Sequence, residues 1–274
     1  MGRLMNRTIR NDEIRLAVLI DGDNVQASQI EFVMKEVVKY GIVTIRRIYG
    51  DWTTPQLDSW KKKLPVHAIQ PVQQFRNTIG KNATDSAMII DAMDILYSSH
   101  VEGFIIVSSD SDYTKLAIRL REAGMNVVGI GKNHTPKPFV NACNEFIYVE
   151  NIMKTYETGY QKKVNNKRKT VENPSEQIAK ENNEIGLSNF AVSTQEVDLG
   201  SIVMEAHKMV DQESSWVDLR KIANNLKKLD PAFDPRTYGY SKLSKVISSH
   251  DSFEVRRDRT NKRIMVRVKD DMEN

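Results

Sequence analysis

From Leu16 to Glu150 the chain alternates short apolar runs with stretches whose apolar residues recur at helical spacing. LAVLID is followed by IEFVMKEVVKYG, IVTIRRIYG by PQLDSWKKKL, and VHAIQPV by TDSAMIIDAMDILYSS. The series continues with GFIIVSSD, DYTKLAIRLREAG, NVVGIG, a short PFVNAC turn and FIYVE. Strands alternating with helices of about ten to fifteen residues predict right-handed βαβ units. The expected fold is therefore α/β, a Rossmannoid, mainly parallel sheet flanked by helices.

Past Asn151 the pattern stops. Lys162, Lys163, Lys167, Arg168 and Lys169 precede ENPSEQIAKENNEIG, and large apolar residues are few before Phe190. Residues 153–196 read as a polar linker, because such a stretch cannot bury enough apolar surface to offset its ordering entropy. From Leu199 three short helical patterns appear, LGSIVMEAHKMV, LRKIANNLKKL and RTYGYSKLSKVISS, with Asp234-Pro235 at the start of the third as N-cap and first-turn proline. FEVRR and RIMVRVK then flank DRTNK as an alternating hairpin. Three helices and a two-stranded wing predict a small C-terminal winged helix-turn-helix domain.

Composition narrows the function. The single cysteine, Cys143, excludes an internal disulfide and a cysteine zinc cluster, and reads as a small buried hydrophobe. The five histidines show no metal-ligand spacing. Apolar runs fall short of the roughly 20 residues a bilayer span needs, and MGRLMNRT lacks the apolar stretch of a secretory signal, so a cytoplasmic protein with no membrane association is expected. A net charge of +4 does not by itself announce a nucleic-acid binder. Its distribution matters more.

Polar residues gather where strands end. The first strand runs into Asp21-Gly22-Asp23-Asn24, and GFIIVSSD ends on Asp110 with Asp112 close behind. Ligands of an open parallel sheet bind outside the carboxyl ends of its strands, so these acids converge on one rim. On a helical wheel Asp85 points with Met88, Ile89, Ala92 and Leu96 towards the sheet, whereas Asp91 and Asp94 lie opposite and read as solvated charges. Clustered acids repel one another unless a cation compensates them. Oxygen ligands of this kind suit Mg²⁺ or Mn²⁺, and such an ion polarises a phosphoryl oxygen and activates water. Asn24 can ligate or position a water without adding charge, and Ser108 and Ser109 read as helpers at the rim. GIGK, Gly129 to Lys132, is too short for a phosphate loop.

An apolar strand ending IDGDN, GKNATD opening a helix, and an apolar strand ending VSSDSD resemble, in that order, the NYN domain of the PIN-like nuclease superfamily, in its LabA-like branch. The resemblance covers about residues 12–152. It implies a PIN-like fold that cuts RNA with a divalent metal held by Asp21, Asp85, Asp110 and Asp112, with Asn24 completing the catalytic set and Asp23 and Ser109 accessory. The tail is similar to a LOTUS, or OST-HTH, domain over about residues 197–269, on Trp216-Val217, Leu219, Phe233 with Pro235, the run TYGYSKLSKVI and the hairpin from Phe253 to Val268. That resemblance implies RNA binding. Lys242 and Lys245 on the third helix and Arg256, Arg257, Arg259, Lys262 and Arg263 around the wing supply a basic face.

Arg76 and Lys81, just before Asp85, are placed to steer an RNA backbone. Arg46 and Arg47 are neighbours on one strand and point to opposite faces, so they cannot both line one groove. The RNA is expected to be single-stranded or structured, and a homodimer stays open. Two other readings remain: a catalytically silent RNA-binding adaptor, and a haloacid-dehalogenase-like phosphatase. Asp21, Asp23, Val25 and Ser108 meet the first two phosphatase motifs, but the acidic pair that fold needs on a later strand is missing from NVVGIG and FIYVE.

Overall fold

The computed structural model of the chain describes residues 14–75, 83–98, 100–156, 199–210, 215–258 and 262–269. Most of the expected linker, residues 157–196, lies outside the described residues.

The N-terminal body runs β1 (Arg15–Asp21), α1 (Ile30–Val37), β2 (Ile42–Gly50), α2 (Asp58–Lys61), α3 (Lys63–His67), β3 (Gln70–Gln73), α4 (Ala83–Ser98), β4 (Gly103–Val107), α5 (Thr114–Glu122), β5 (Asn126–Gly131), α6 (Lys137–Ala142), β6 (Glu145–Tyr148) and α7 (149–156). Its six strands form one sheet in the order β3-β2-β1-β4-β5-β6, and every pairing is parallel. This is the doubly wound order, with the switch point between β1 and β4.

Alternation along β1 explains the two-sided core. Leu16, Val18 and Ile20 pack on one face with Ile30, Val33 and Val37 of α1 and with Leu57, Trp60 and Leu64. Ala17 and Leu19 face the other way, against Met88, Ala92 and Ile95 of α4 and Leu116 and Leu120 of α5. A strand buried on both faces has no polar alternation to show, which is why β1, β4 and β5 read as continuous apolar runs. Cys143 lies in the second cluster, as expected of a small hydrophobe.

Local punctuation departs from the sequence reading in places. PQLDSWKKKL is not one helix: Pro55 opens a 3-10 turn, α2 ends at Lys61, and α3 restarts with Pro65 inside its short span, where a missing N–H costs least. Val66 and His67 therefore belong to a helix, Ala68 turns the chain with φ +50°, and the third strand shrinks to Gln70–Gln73. PFVNAC is a short helix rather than a turn.

The C-terminal body contains α8 (Leu199–Lys208), β7 (Val217–Asp218), α9 (Leu219–Leu229), α10 (Leu243–Ser248), β8 (Phe253–Arg257) and β9 (Ile264–Val268). Asp234 caps as expected, accepting from the Arg236 N–H at 2.8 Å. The cap opens only a 3-10 turn, because Gly239, with φ +81°, ends it in the left-handed region and the helix restarts at Leu243. The wing gains a strand, since Val217–Asp218 pairs with β9 in a three-stranded sheet ordered β7-β9-β8.

The two bodies are docked along β6, the edge of the parallel sheet. The Phe146 N–H donates to the Pro231 carbonyl at 2.8 Å, and Ala232 packs into the core on that side. Lys227 pairs with Glu145 at 2.6 Å, Asn151 donates to the Thr237 hydroxyl at 2.7 Å, and Arg236 reaches Glu36 at 3.5 Å. An edge N–H that would otherwise face outward is thereby satisfied.

Candidate active site

Asp21 ends β1 on the side of Ala17 and Leu19, and Ser108 follows β4 on the side of Phe104 and Ile106. Period-two alternation therefore aims both side chains at α4 and α5 across the switch point. They meet there: the Ser108 hydroxyl donates to Asp21 Oδ2 at 2.8 Å.

The loop after β1 winds around the same carboxylate. Backbone N–H groups of Asp23 and Asn24 donate to Asp21 Oδ1 at 3.1 and 3.2 Å, and the Asn24 side-chain amide donates to Oδ2 at 2.7 Å. Gly22 permits this turn because a Cβ there would stand 2.7 Å from the Tyr49 carbonyl oxygen. Asp21 is fully buried, and burial pushes its carboxyl above the ordinary value against the opposing pull of Asn24 and Ser108.

The other acids stand above it. Ser108 accepts from the Asp110 N–H at 3.0 Å, and Asp110 accepts from the Asp112 N–H at 2.9 Å, capping the 3-10 turn over Ser111–Tyr113. Asp85, in the first turn of α4, accepts from the Tyr113 phenol at 2.7 Å. Burial raises the Asp85 carboxyl, the Tyr113 bond opposes the rise, and the charges of Asp21, Asp110 and Asp112 reinforce it. Among the described residues Asp85, Asp110 and Asp112 each offer an oxygen within 4.8 Å of the others. Asp21 is not in that group. It lies beneath it, with both carboxylate oxygens engaged by hydrogen bonds.

The remaining sequence candidates are distributed as follows. Asp23 is exposed beside the rim and accepts from the Thr84 hydroxyl at 3.0 Å. Ser109 turns away from the acids and accepts from the Lys132 N–H at 2.8 Å. Arg76 and Lys81 lie outside the described residues. Arg46 donates to the His67 carbonyl at 3.0 Å, while Arg47 points the other way, to Asp91. Asp91 corrects an expectation: it is no solvated charge, because Arg47 and Tyr49, on one face of β2, both donate to it. Ser108 stands at the rim as the sequence reading expected, whereas Tyr113 and Thr84 are supporting residues that the sequence reading did not single out.

Known proteins bear on this arrangement. Residues 15–150 match the family model of the NYN domain, and residues 192–265 match that of the OST-HTH/LOTUS domain. The chain joins an NYN domain to a LOTUS domain. It is 24% identical over 126 residues to an uncharacterized protein of Methanocaldococcus jannaschii, covering 44% of this chain and 49% of that protein. This chain thus spans about half the length of that curated relative. It is also similar to a crystal structure of a protein of unknown function from Vibrio parahaemolyticus, with 17% identity, TM-score 0.42, and coverage of 51% of this chain and 94% of that one. A solution structure of an uncharacterized Nitrosomonas europaea protein matches with 25% identity, TM-score 0.27, and coverage of 36% and 97%.

On the LOTUS domain, Lys242, Lys245, Arg257 and Lys262 are exposed, and Arg259 lies outside the described residues. Arg263 sits 3.8 Å from Asp218. Arg256 is exposed as well, with its guanidinium stacked 3.9 Å from the Trp216 ring centre and Arg267 at 4.8 Å on the same ring. Among the described residues no helix is long and apolar enough to cross a membrane.

Proposed function

We propose that this chain is a divalent-metal-dependent ribonuclease that hydrolyses RNA phosphodiester bonds, with residues 12–152 as the nuclease body and residues 197–269 recruiting single-stranded or structured RNA, in the cytoplasm. The observation that carries the reading is the convergence of Asp85, Asp110 and Asp112 on the strand-end rim of an NYN domain.

The donor set fits Mg²⁺ or Mn²⁺, since it is all oxygen. The three carboxylates each offer an oxygen within 4.8 Å of the others, and an ion of this kind would bind through such acids while keeping several of its waters. When bound, such an ion supplies a polarised phosphoryl oxygen and a more acidic water. Asp85, Asp110 and Asp112 are the residues that would hold it. Tyr113 fixes the Asp85 carboxylate, Ser108 fixes the backbone of Asp110, and Asp21 adds buried negative charge beneath them. The Asn24 amide nitrogen is committed to Asp21, which leaves its oxygen to orient water.

The same geometry argues against the phosphatase reading, because a nucleophilic aspartate needs an accessible oxygen and Asp21 is fully buried. The adaptor reading predicts RNA binding without cutting. Cleavage of RNA that needs Mn²⁺ or Mg²⁺ and is lost in Asp110→Asn supports the nuclease; binding without cleavage supports the adaptor. Deleting residues 197–269 tests recruitment, with weaker RNA binding and a shallower salt dependence expected.

A further inference from the structure

The three-stranded sheet of the C-terminal body turns one face to its core, where Val217, Val255 and Val266 pack among the helices. Alternation puts Trp216, just ahead of β7, on the opposite face with Arg256 of β8 and Arg267 of β9. They meet there. The Arg256 guanidinium lies 3.9 Å from the centre of the Trp216 ring and that of Arg267 lies 4.8 Å from it. A guanidinium stacked on an indole is held by the negative ring face, so its plane is set before anything binds.

The arginines around this sheet differ in what else they touch. Arg267 pairs with Glu254, its direct neighbour across β8 and β9. Arg220 and Arg263 both face Asp218. Arg256 is opposite Met265 and exposed, and among the described residues no carboxylate pairs with it. Its guanidinium thus combines a charge without an acidic partner among those residues with an orientation fixed by Trp216. The N–H donors of a guanidinium project from its edge in a fork that matches two oxygens of one anion. A phosphodiester offers two such oxygens.

We propose that Arg256, held flat by Trp216, is a bidentate seat for one phosphodiester of bound RNA, with Trp216 as its positioning residue. The inference rests on the recruitment role of residues 197–269 for its ligand class. It sets Arg256 apart from Lys242, Lys245 and Lys262, whose ammonium groups act on a backbone as point charges.

The test is fluorescence anisotropy of a labelled mixed-sequence single-stranded RNA with the full chain, in EDTA and over a range of salt. Arg256→Lys keeps the charge and loses the fork, so it should weaken binding about tenfold, close to Arg256→Gln. Only Arg256→Gln should also reduce the salt slope, by about 0.7. Trp216→Leu should match Arg256→Lys, and Trp216→Phe, which keeps a ring under the guanidinium, should restore most of the affinity. Arg256→Lys added to Trp216→Leu should cost less than about twofold more, because the two residues act as one unit. Urea midpoints report whether each variant is folded, and Arg256→Lys, at an exposed position, decides the matter if Trp216→Leu is not. Full affinity in Arg256→Lys, or additive losses in the double variant, overturns the seat and leaves recruitment in place. A lysine penalty on binding of polyglutamate but not of RNA also overturns it, since the fork then serves a carboxylate. RNA left unbound by the unaltered chain removes recruitment and the seat together.

Discussion

The phenol of Tyr113 donates to the carboxylate of Asp85 across 2.7 Å, joining the turn after β4 to the first turn of α4. This bond aims an acid of one element at the acids of another. Tyr113→Phe keeps the buried ring and removes only the donor. Supporting partners of metal ligands typically contribute about 10–100-fold in affinity or activity. The variant should therefore fold normally while its half-saturating Mn²⁺ concentration rises within that range, as read by cleavage rate against metal.

Asp21 and Asp110 should fail differently. Asp21 accepts four hydrogen bonds inside the protein, and an asparagine there sets an N–H₂ against the donors of Asn24 and Ser108. Buried polar groups left unpaired cost about 1–3 kcal/mol. Urea unfolding should show Asp21→Asn losing that stability together with activity, and Asp110→Asn, on the rim, losing activity alone.

The C-terminal body should soften in acid. His207 is buried, and burial holds its imidazole below its ordinary pKa despite a hydrogen bond to the Val266 backbone. The unfolded chain takes up a proton near the ordinary value of about 6.5 while the folded one stays neutral, so stability falls as pH drops through and below that value. Urea midpoints followed by Trp216 fluorescence should decline from about pH 7.5 to about pH 5.5, and His207→Leu should flatten the decline.

Much of this was legible because fully buried parallel strands leave an unmistakable trace. GFIIV and NVVGIG carry no internal polar residue to confuse with a surface strand, and Asp110 and Asp112 appear where GFIIV stops. Asp91 was not legible. A wheel places it away from the residues facing the sheet, but it cannot show that Arg47 and Tyr49, over forty positions earlier, reach across to it. Docking of the LOTUS domain was equally hidden, because the bond from Phe146 to Pro231 joins an edge strand to a loop and has no periodicity. Two expected helices were also interrupted where periodicity alone ran on, one after Lys61 and one at Gly239.

That docking can be opened by charge. Glu145 accepts from Tyr40 at 2.7 Å and from Lys227 at 2.6 Å, and Arg236 bridges to Glu36. Partly exposed pairs contribute only about 0.2–1 kcal/mol each, so Glu145→Gln alone should leave the bodies docked. Glu145→Lys with Arg236→Glu replaces attraction by repulsion at both contacts, and small-angle scattering should report a larger radius of gyration. An unchanged radius would mean that the apolar and backbone contacts suffice.

The central claim is that Asp85, Asp110 and Asp112 form a metal-dependent RNA-cutting site. Its most direct test is the cleavage of a mixed-sequence single-stranded RNA by purified full chain in EDTA, Mg²⁺ and Mn²⁺, with Asp110→Asn prepared in parallel. The account predicts cutting only with metal and its loss in the variant. RNA bound but left intact under every condition, or degraded equally by both proteins, would contradict it.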